Sequence, residues 1–328
     1  MNILLINPRK GLVSCFYRKI IALYYLIKNN FENLEIDIER NCKGLNLTKY
    51  QRIITFTPFF QKNLNEFHKD YQNNNKKKII LIQTEHMLEN RIWYKSIIKN
   101  SILIHSILDF STNNINLLKK KIKNIQIYKF LLSYTPINEL VFQNKLKIVG
   151  YNNLPKLNYN IQQSSLNIIN KDIDVLFYGN KSKRRLEIHN LLLKNNINSV
   201  FIQSMKNINM MNNYLSRSKI VPIIHTFDNN RQHKHLDFYR ITYQISNKIF
   251  TIHEKPFDNE IDDDDKNNII FFDYDNVIQI IKHCLSFSNQ KINELTENTY
   301  TWFKNKYKLD NQNNLTIFNS LLKNCLIE

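Results

Sequence analysis

The segment from Asp172 to Asn196 constrains the fold more than any other part of the sequence, because it joins a buried strand to an amphipathic helix. Its first part, Asp174 to Tyr178, is a short apolar run followed by Gly179, as expected of a strand in a parallel sheet. The next residues carry apolar side chains at helical spacing, and Ser182 is placed to cap the first turn. We therefore predict a strand, a short loop and a helix.

The loop between this strand and helix is rich in positive charge. Its glycine and cations are Gly179, Lys181, Lys183, Arg184 and Arg185. Free N–H groups at a helix start and guanidinium groups both favour bound anions. A lone glycine is a weak phosphate signature, so two interpretations stay open: a phosphate site and a solvated basic turn.

The chain is long enough for two domains, since 328 residues exceed what one hydrophobic core usually organises. Strand and helix patterns alternate up to about residue 138, loosen into a segment rich in Asn, Gln, Ser and Pro, and restart at Asp174. We predict an α/β fold with two doubly wound domains, at residues 1–150 and 151–290, followed by a C-terminal helical segment at residues 291–328.

The charge balance is strongly basic, with 46 Lys and Arg against 28 Asp and Glu and a formal net charge of +18. Such a surface favours anionic partners: phosphates, nucleic acid or acidic lipid. A nucleic-acid-binding function is disfavoured, because the basic residues are spread along the chain and the aromatic residues fall mainly in apolar periodic segments. The run Lys76–Lys78 is interpreted as a solvated loop.

The cysteine pattern and hydropathy bear on the compartment. Four cysteines are scattered without a paired Cys-x-x-Cys spacing, which favours a reducing compartment. No apolar run approaches the roughly 20 residues that span a bilayer. The predicted location is the cytoplasm, and contact with a membrane surface is left open.

Neither the histidines nor the acidic run indicates a metal site. Four histidines of the second half are candidates for zinc ligands: His225, His233, His235 and His253. Their spacing matches no standard zinc pattern. The run Asp262–Asp265 lacks the alternating spacing and the glycine of a calcium loop, so we interpret it as a solvated acidic loop.

Four short motifs follow one another in the second half: Asp174 to Gly179 with Arg184-Arg185, Ile223-Ile224-His225, Leu236 to Ile241, and Thr251 to Glu254. In order and spacing they resemble the second domain of one group of GT-B glycosyltransferases, which reads D-V-x-F-x-G with RR, N-I-H, L-E-x-x-R-I and S-E. The first half is similar less sharply, at Gln83-Thr84-Glu85, Asp109-Phe110-Ser111 and Leu132 to Pro136. Pro222, Asp237 and Ser133 depart from the Asn, Glu and Gly of that pattern.

The resemblance implies two Rossmann-like domains facing a cleft, with a nucleotide-sugar donor bound to the second domain. By resemblance, the donor-binding residues are Gly179, Lys183, Arg184, Arg185, His225, Asp237, Arg240 and Glu254. Asp237 would bind the ribose hydroxyls, while Arg240 or the loop cations would hold the phosphates. The alternative for Asp237 and Arg240 is a plain surface pair in the first turn of a helix.

The predicted activity is metal-independent transfer of a sugar from the donor to an unknown glycan, protein or lipid acceptor, with no cofactor. If the reaction inverts the sugar, it needs a base for the acceptor proton. Glu85 is the first candidate and Asp109 the second, although Ser111 or Thr112 beside Asp109 could simply cap a helix. Two alternatives stay open: a catalytically inactive GT-B-like binding or scaffold protein, and a basic nucleic-acid-binding protein.

Overall fold

The computed structural model describes most of the chain in two compact units. The described residues are 1–6, 17–39, 41–84, 87, 89, 91–131, 171–203, 208–226, 234–308 and 310–323. The first unit holds the described residues up to 131 together with 310–323, and the second holds 171–308. The boundary predicted between residues 150 and 151 lies outside the described residues, so it stays a prediction.

Each unit is built on a parallel sheet. The strands of the first are β1 (Asn2–Ile6), β2 (Glu35–Glu39), β3 (Arg52–Phe56), β4 (Ile79–Gln83), β5 (Ile104–Asp109) and β6 (Gln126–Lys129). Those of the second are β7 (Ile173–Tyr178), β8 (Ser199–Ile202), β9 (Ser218–Ile223), β10 (Thr251–Glu254) and β11 (Ile270–Phe272). The prediction of an α/β fold with two parallel-sheet domains is confirmed.

Helices connect most of these strands. The α-helices are α1 (Tyr17–Asn30), α2 (Thr57–Phe60), α3 (Leu64–Asn74), α4 (Ile92–Lys99), α5 (Thr112–Lys119), α6 (Lys183–Lys194), α7 (Ile208–Ser216), α8 (Phe238–Ser246), α9 (Asp263–Asn268), α10 (Val277–Leu285), α11 (Asn289–Lys306) and α12 (Gln312–Lys323). Short 3-10 helices lie at Leu47–Lys49, Gln61–Asn63, Ser101–Leu103, Asp258–Glu260 and Tyr274–Asn276. None of the helices that the structure describes is long and apolar enough to span a lipid bilayer.

The five strands of the second sheet have the same order as the first five strands of the six-stranded first sheet. The first runs β2-β1-β3-β4-β5-β6 and the second β11-β10-β9-β7-β8, so each places its first strand between its second and third. The connections on either side of that position run in opposite directions along the sheet, which leaves a crevice at the carboxyl ends of the strands. The crevice of the second sheet is therefore expected between the ends of β7 and β9.

The strands are buried because apolar side chains dominate both of their faces. Strands β3 and β4 are buried along their whole length, as expected of central strands covered on both sides. In the second unit, Val175 and Phe177 of β7 pack with Ile188 and Leu192 of α6. This strand and helix are the ones predicted from the segment Asp172 to Asn196, and their packing fixes the loop between them.

The last helix, α12, belongs to the first unit although it follows the second in the sequence. Phe318 packs against Phe130 with ring centroids 5.5 Å apart. The buried Arg52 donates from Nε to the carbonyl of Leu321 at 3.1 Å, near the helix end where carbonyls lack partners and the dipole is negative. Apolar packing and this charge-assisted bond hold α12 against the sheet.

The prediction of a solvated loop at Asp262–Asp265 is wrong. Asp262 caps α9 in a capping box with Asp265, and acidic side chains are favourable in the first turn of a helix. Lys306 lies 2.6 Å from Asp262 and 3.0 Å from Asp265, and the hydroxyl of Tyr307 donates to Asp265 at 2.5 Å. The acidic run thus pairs with a lysine and a tyrosine at the end of α11, far along the chain.

Candidate functional site

The candidate site of the second unit lies where β7, β9 and β10 end. These strands are parallel neighbours, so their carboxyl ends meet at one edge of the sheet. Tyr178 ends β7, His225 follows β9 by two residues, and Glu254 ends β10. The same edge contains the switch in strand order, which is where open α/β sheets bind ligands.

The loop after β7 turns sharply at Gly179. Its φ of +104° is one that side chains with a Cβ rarely adopt, so a substitution there would be strained. Ser182 then accepts a hydrogen bond from the Arg185 N–H at 3.4 Å and caps α6, as predicted. Lys183, the first helical residue, is exposed and forms no ion pair with any described residue. Its ammonium group is free to meet an anion at this helix start.

Arg184 and Glu254 form a buried, bidentate ion pair across this edge. The guanidinium Nη2 and Nη1 donate to Oε1 at 2.7 Å and Oε2 at 3.1 Å, and the two side chains are only 4% and 1% exposed. Nη1 also donates to the carbonyl of His225 at 3.1 Å, while the His225 N–H donates to Glu254 at 2.9 Å. The Tyr274 ring lies 3.9 Å from the guanidinium carbon. The pair therefore ties together the ends of β9 and β10 and the start of α6.

Arg185 is buried beside this pair but bonds only to backbone carbonyls among the described residues. It donates from Nε and Nη2 to Ile224 at 2.9 and 2.7 Å, and from Nη1 to Asn180 at 3.1 Å. Burial, and after it the neighbouring charge of Arg240, lower the pKa of this guanidinium to about 10. No carboxylate of the described ranges bonds to it, so its charge contributes a positive potential at the crevice.

Asp237 and Arg240 form the half-exposed polar pair of the site, at the start of α8. The Asp237 side chain accepts from the Arg240 N–H at 3.3 Å and so caps the helix. Its other carboxylate oxygen lies 2.9 Å from Arg240 Nε, and the two side chains are 29% and 28% exposed. In this structure the two residues pair with each other, as the alternative interpretation expects, and solvent reaches both.

His253 connects this pair to the buried network. The ring is fully buried on β10, its Nε2 accepts from the Asp237 N–H at 3.0 Å, and its Nδ1–H donates to the Glu254 carbonyl at 2.5 Å. Both ring nitrogens are engaged in a way that fits only the neutral tautomer with hydrogen on Nδ1. Burial accordingly lowers the pKa of His253 to about 4.

The neutral state of His253 gives a pH-dependent stability. A histidine with a lowered folded pKa binds more protons when unfolded, so the second unit should lose stability as pH falls from about 6.5 towards 4. The contribution is about 3 kcal/mol. Denaturant unfolding of the wild type and of His253→Gln at several pH values isolates it, because carboxylates titrate in both. His283→Gln, at an exposed position, serves as the control, and equal pH profiles for His253→Gln and wild type would contradict the assignment.

Gln244 and Tyr178 were not singled out in the sequence, yet they lie beside the same crevice. Gln244 Nε2 donates to the Tyr178 hydroxyl at 3.0 Å, while its buried Oε1 has no hydrogen-bond partner in the described part of the chain. Burial raises the pKa of Tyr178 to about 12, and the charge of Arg240 partly offsets the rise. The sequence signal that could have identified Gln244 is its spacing, because it lies four residues after Arg240 and therefore on the same face of α8.

The candidate bases belong to the first unit. Glu85 lies outside the described residues, so its role stays a prediction. Asp109 ends β5 fully buried, and its Oδ1 accepts from the Ser111 N–H at 2.9 Å and from Asn114 Nδ2 at 3.1 Å. Ser111 caps α5, which confirms the capping interpretation of that residue. A base must reach the acceptor proton, so this arrangement favours a structural role for Asp109.

Comparisons with known proteins bear on the fold alone. No protein-family model matches the chain, and no curated protein sequence matches it. The HepE protein of Anabaena, crystallised in complex with UDP-glucose, is similar in structure with a TM-score of 0.53 at 10% identity. The similarity covers 98% of this chain and all of that one.

The N-terminal domain of trehalose-6-phosphate phosphatase from Candida albicans is similar too, with a TM-score of 0.51 at 10% identity. It covers 98% of this chain and 96% of that domain. The two likenesses support a GT-B-like fold for this chain. They do not extend to the sequence motifs or to the predicted cleft.

Proposed function

We propose that this chain is a glycosyltransferase that takes its sugar from a nucleotide-sugar donor bound at the carboxyl edge of the second sheet. The observation that carries the proposal is the half-exposed pair of Asp237 and Arg240 beside the switch in strand order. A carboxylate there can accept hydrogen bonds from both ribose hydroxyls, and a guanidinium can hold a phosphate. The pair would open when the donor enters between its members.

Positive charge at this edge supports diphosphate binding without a metal. Lys183 presents an exposed ammonium at the start of α6, and the helix dipole adds favourable potential for an anion. Arg184 and Arg185 act differently in this proposal, because their buried guanidinium groups hold the loop instead of pointing at the ligand. The UDP-glucose bound to the structurally similar HepE protein supports a nucleotide sugar as the ligand class.

The proposed reaction moves the sugar from phosphate to the acceptor. The acceptor hydroxyl oxygen forms a bond to the anomeric carbon as the bond from that carbon to the phosphate oxygen breaks. The base, for which Glu85 remains the first candidate, takes the hydroxyl proton, and the nucleoside diphosphate leaves with the electron pair. Arg240 would stabilise the negative charge that grows on the leaving group.

A binding panel tests the proposal. The full chain is heated with UDP-, GDP-, CMP- and ADP-sugars, and one donor is expected to raise the melting temperature. At about 100 times its dissociation constant a ligand adds about 2.7 kcal/mol of stability. Asp237→Asn should diminish the shift, because that carboxylate is the one proposed to bind the ribose, whereas Asp172→Asn, which removes an exposed carboxylate just before β7, should keep it. The proposal fails if no nucleotide sugar shifts the melting temperature.

The buried position of Asp109 favours one alternative, a GT-B-like protein that binds a nucleotide sugar without transferring it. This alternative shares the donor site and differs in the first unit, where Asp109, at the end of a central strand, is closed to solvent. It predicts the same thermal shift together with no release of nucleotide over a broad panel of glycan, peptide and lipid acceptors. Release of nucleotide with an acceptor would exclude it.

A further inference from the structure

We propose that the first unit binds anionic membrane surfaces through a lysine rim at the amino edge of its own sheet. Asp109 lies at the opposite, carboxyl edge of that sheet. The lysine rim consists of Lys99, Lys119, Lys120, Lys121 and Lys123. All five are exposed, and none forms an ion pair with any residue in the described ranges. This surface does not depend on the proposed glycosyltransferase activity.

The topology brings these lysines together from two separate connections. In a parallel sheet every helix-to-strand connection reaches the amino edge, so Lys99 arrives just before β5 and the other four just before β6. β4, β5 and β6 are adjacent, and each neighbour is about 5 Å away. The exposed Lys76, in the connection before β4, extends the same edge.

Buried anchors keep the lysines facing outward. Ile122 is buried in the core, which leaves Lys121 and Lys123 on either side of it in solvent. Leu103 is likewise buried at the end of its 3-10 turn, and the preceding Ile102 is 50% exposed. An exposed apolar side chain therefore lies in the same connection as Lys99, at this edge of the sheet.

Among the residues that the structure describes, acids are sparse around the rim. The connections that lead into β4, β5 and β6 contain no Asp or Glu. The acidic residues Glu32 and Glu35 lie at the start of β2, which is four strands from β5. Four strand spacings amount to about 19 Å, roughly twice the screening length at physiological salt.

The chemistry of the rim fits a lipid surface better than a nucleic acid. Clustered lysines attract the anionic headgroups of a bilayer, and each contributes about fivefold to binding. Ile102 would gain free energy by entering the headgroup region, whereas a phosphate backbone offers nothing to an aliphatic side chain. We therefore infer that the first unit binds the membrane surface reversibly through the lysine rim.

Vesicle co-sedimentation of the full chain tests this assignment. The wild type is expected to pellet with phosphatidylcholine vesicles that contain about 30% phosphatidylserine and to stay in solution with pure phosphatidylcholine. Changing the lysines at 119, 120, 121 and 123 to Gln should lower the partition coefficient by about 100-fold or more. Ile102→Ser should lower the partition coefficient only several-fold, because this variant keeps all of the lysine charges.

A matched variant controls for net charge. Changing the exposed Lys43, Lys69, Lys194 and Lys304 to Gln removes the same charge from scattered positions and should leave binding within about threefold. Equal losses from the two quadruple variants would overturn the proposal, as would equal pelleting with both vesicle types. Binding to duplex RNA that depends on the rim but not on Ile102, without vesicle binding, would reassign the rim to nucleic acid. Loss of binding must be distinguished from loss of folding. Circular dichroism of each variant checks the fold, and the paired changes at 119/120 and 121/123 test the rim with fewer substitutions.

Discussion

Replacing Arg184 with alanine is expected to lower the free energy of unfolding of the second unit by about 3–5 kcal/mol. The substitution leaves the carboxylate of Glu254, which is 1% exposed, without its cation and removes a donor from the His225 carbonyl. Removing one partner leaves a buried, unpaired charge, which is strongly destabilising. Replacing both partners by apolar side chains of similar volume removes both charges and is often nearly neutral. The double variant Arg184→Met with Glu254→Leu should therefore recover much of the loss.

The measurement uses the two tryptophans, one in each unit. In a Trp93→Phe background, the fluorescence of Trp302 reports urea unfolding of the second unit alone. Arg217→Ala is the matched control, since Arg217 pairs with Asp172 on the exposed surface and should cost less than about 1 kcal/mol. If Arg184→Ala lowers the free energy of unfolding no more than Arg217→Ala does, water reaches the Glu254 carboxylate and the ion pair is not buried.

On a donor identified by thermal shift, Arg240→Ala is expected to lower kcat by about 100-fold or more. The leaving diphosphate gains negative charge as the glycosidic bond breaks, so a cation beside it contributes more to the transition state than to donor binding. Steady-state kinetics with varied donor, with Lys219→Ala as the control for lost charge, measures the effect. A raised donor KM at unchanged kcat would place Arg240 in ground-state binding instead.

Asp237 is expected to behave differently from its partner. Asparagine is a good helix cap, so Asp237→Asn keeps α8 while it weakens the hydrogen bonds to two ribose hydroxyls. Those bonds are similar before and during the reaction, so the change should appear chiefly as a raised donor KM. Glu85→Gln should leave donor binding intact and slow transfer. Wild-type kinetics for all three variants would contradict the assignments while leaving the fold untouched.

The sequence predicted the repeating strands and helices because parallel strands buried on both faces consist of short apolar runs. The strand Asp174 to Tyr178 and the cap at Ser182 are examples in which local pattern and final structure agree. The ends of neighbouring parallel strands converge at one edge of a sheet, which accounts for the contact between His225 and Glu254. Local chemistry and topology rules were sufficient for these features.

The sequence did not predict which cations face the crevice. Arg184 finds its carboxylate 70 residues later, and this choice depends on β10 lying beside β9. Likewise, the acidic run at Asp262–Asp265 became a helix start because Lys306 and Tyr307 arrive from the end of another helix. Partners so distant along the chain are set by the packing of the whole unit, which periodicity within a window of residues does not encode.

The position of α12 affects how the protein is made. A ribosome completes the strands of the first unit early, but the helix that covers Phe130 and bonds to Arg52 emerges only after the whole second unit. During synthesis the apolar surface of the first unit that α12 covers therefore stays exposed until α12 has been made. Nascent chains with exposed apolar surface are prone to aggregate or to bind chaperones. Growth from the N-terminus allows the second unit to finish folding before the first.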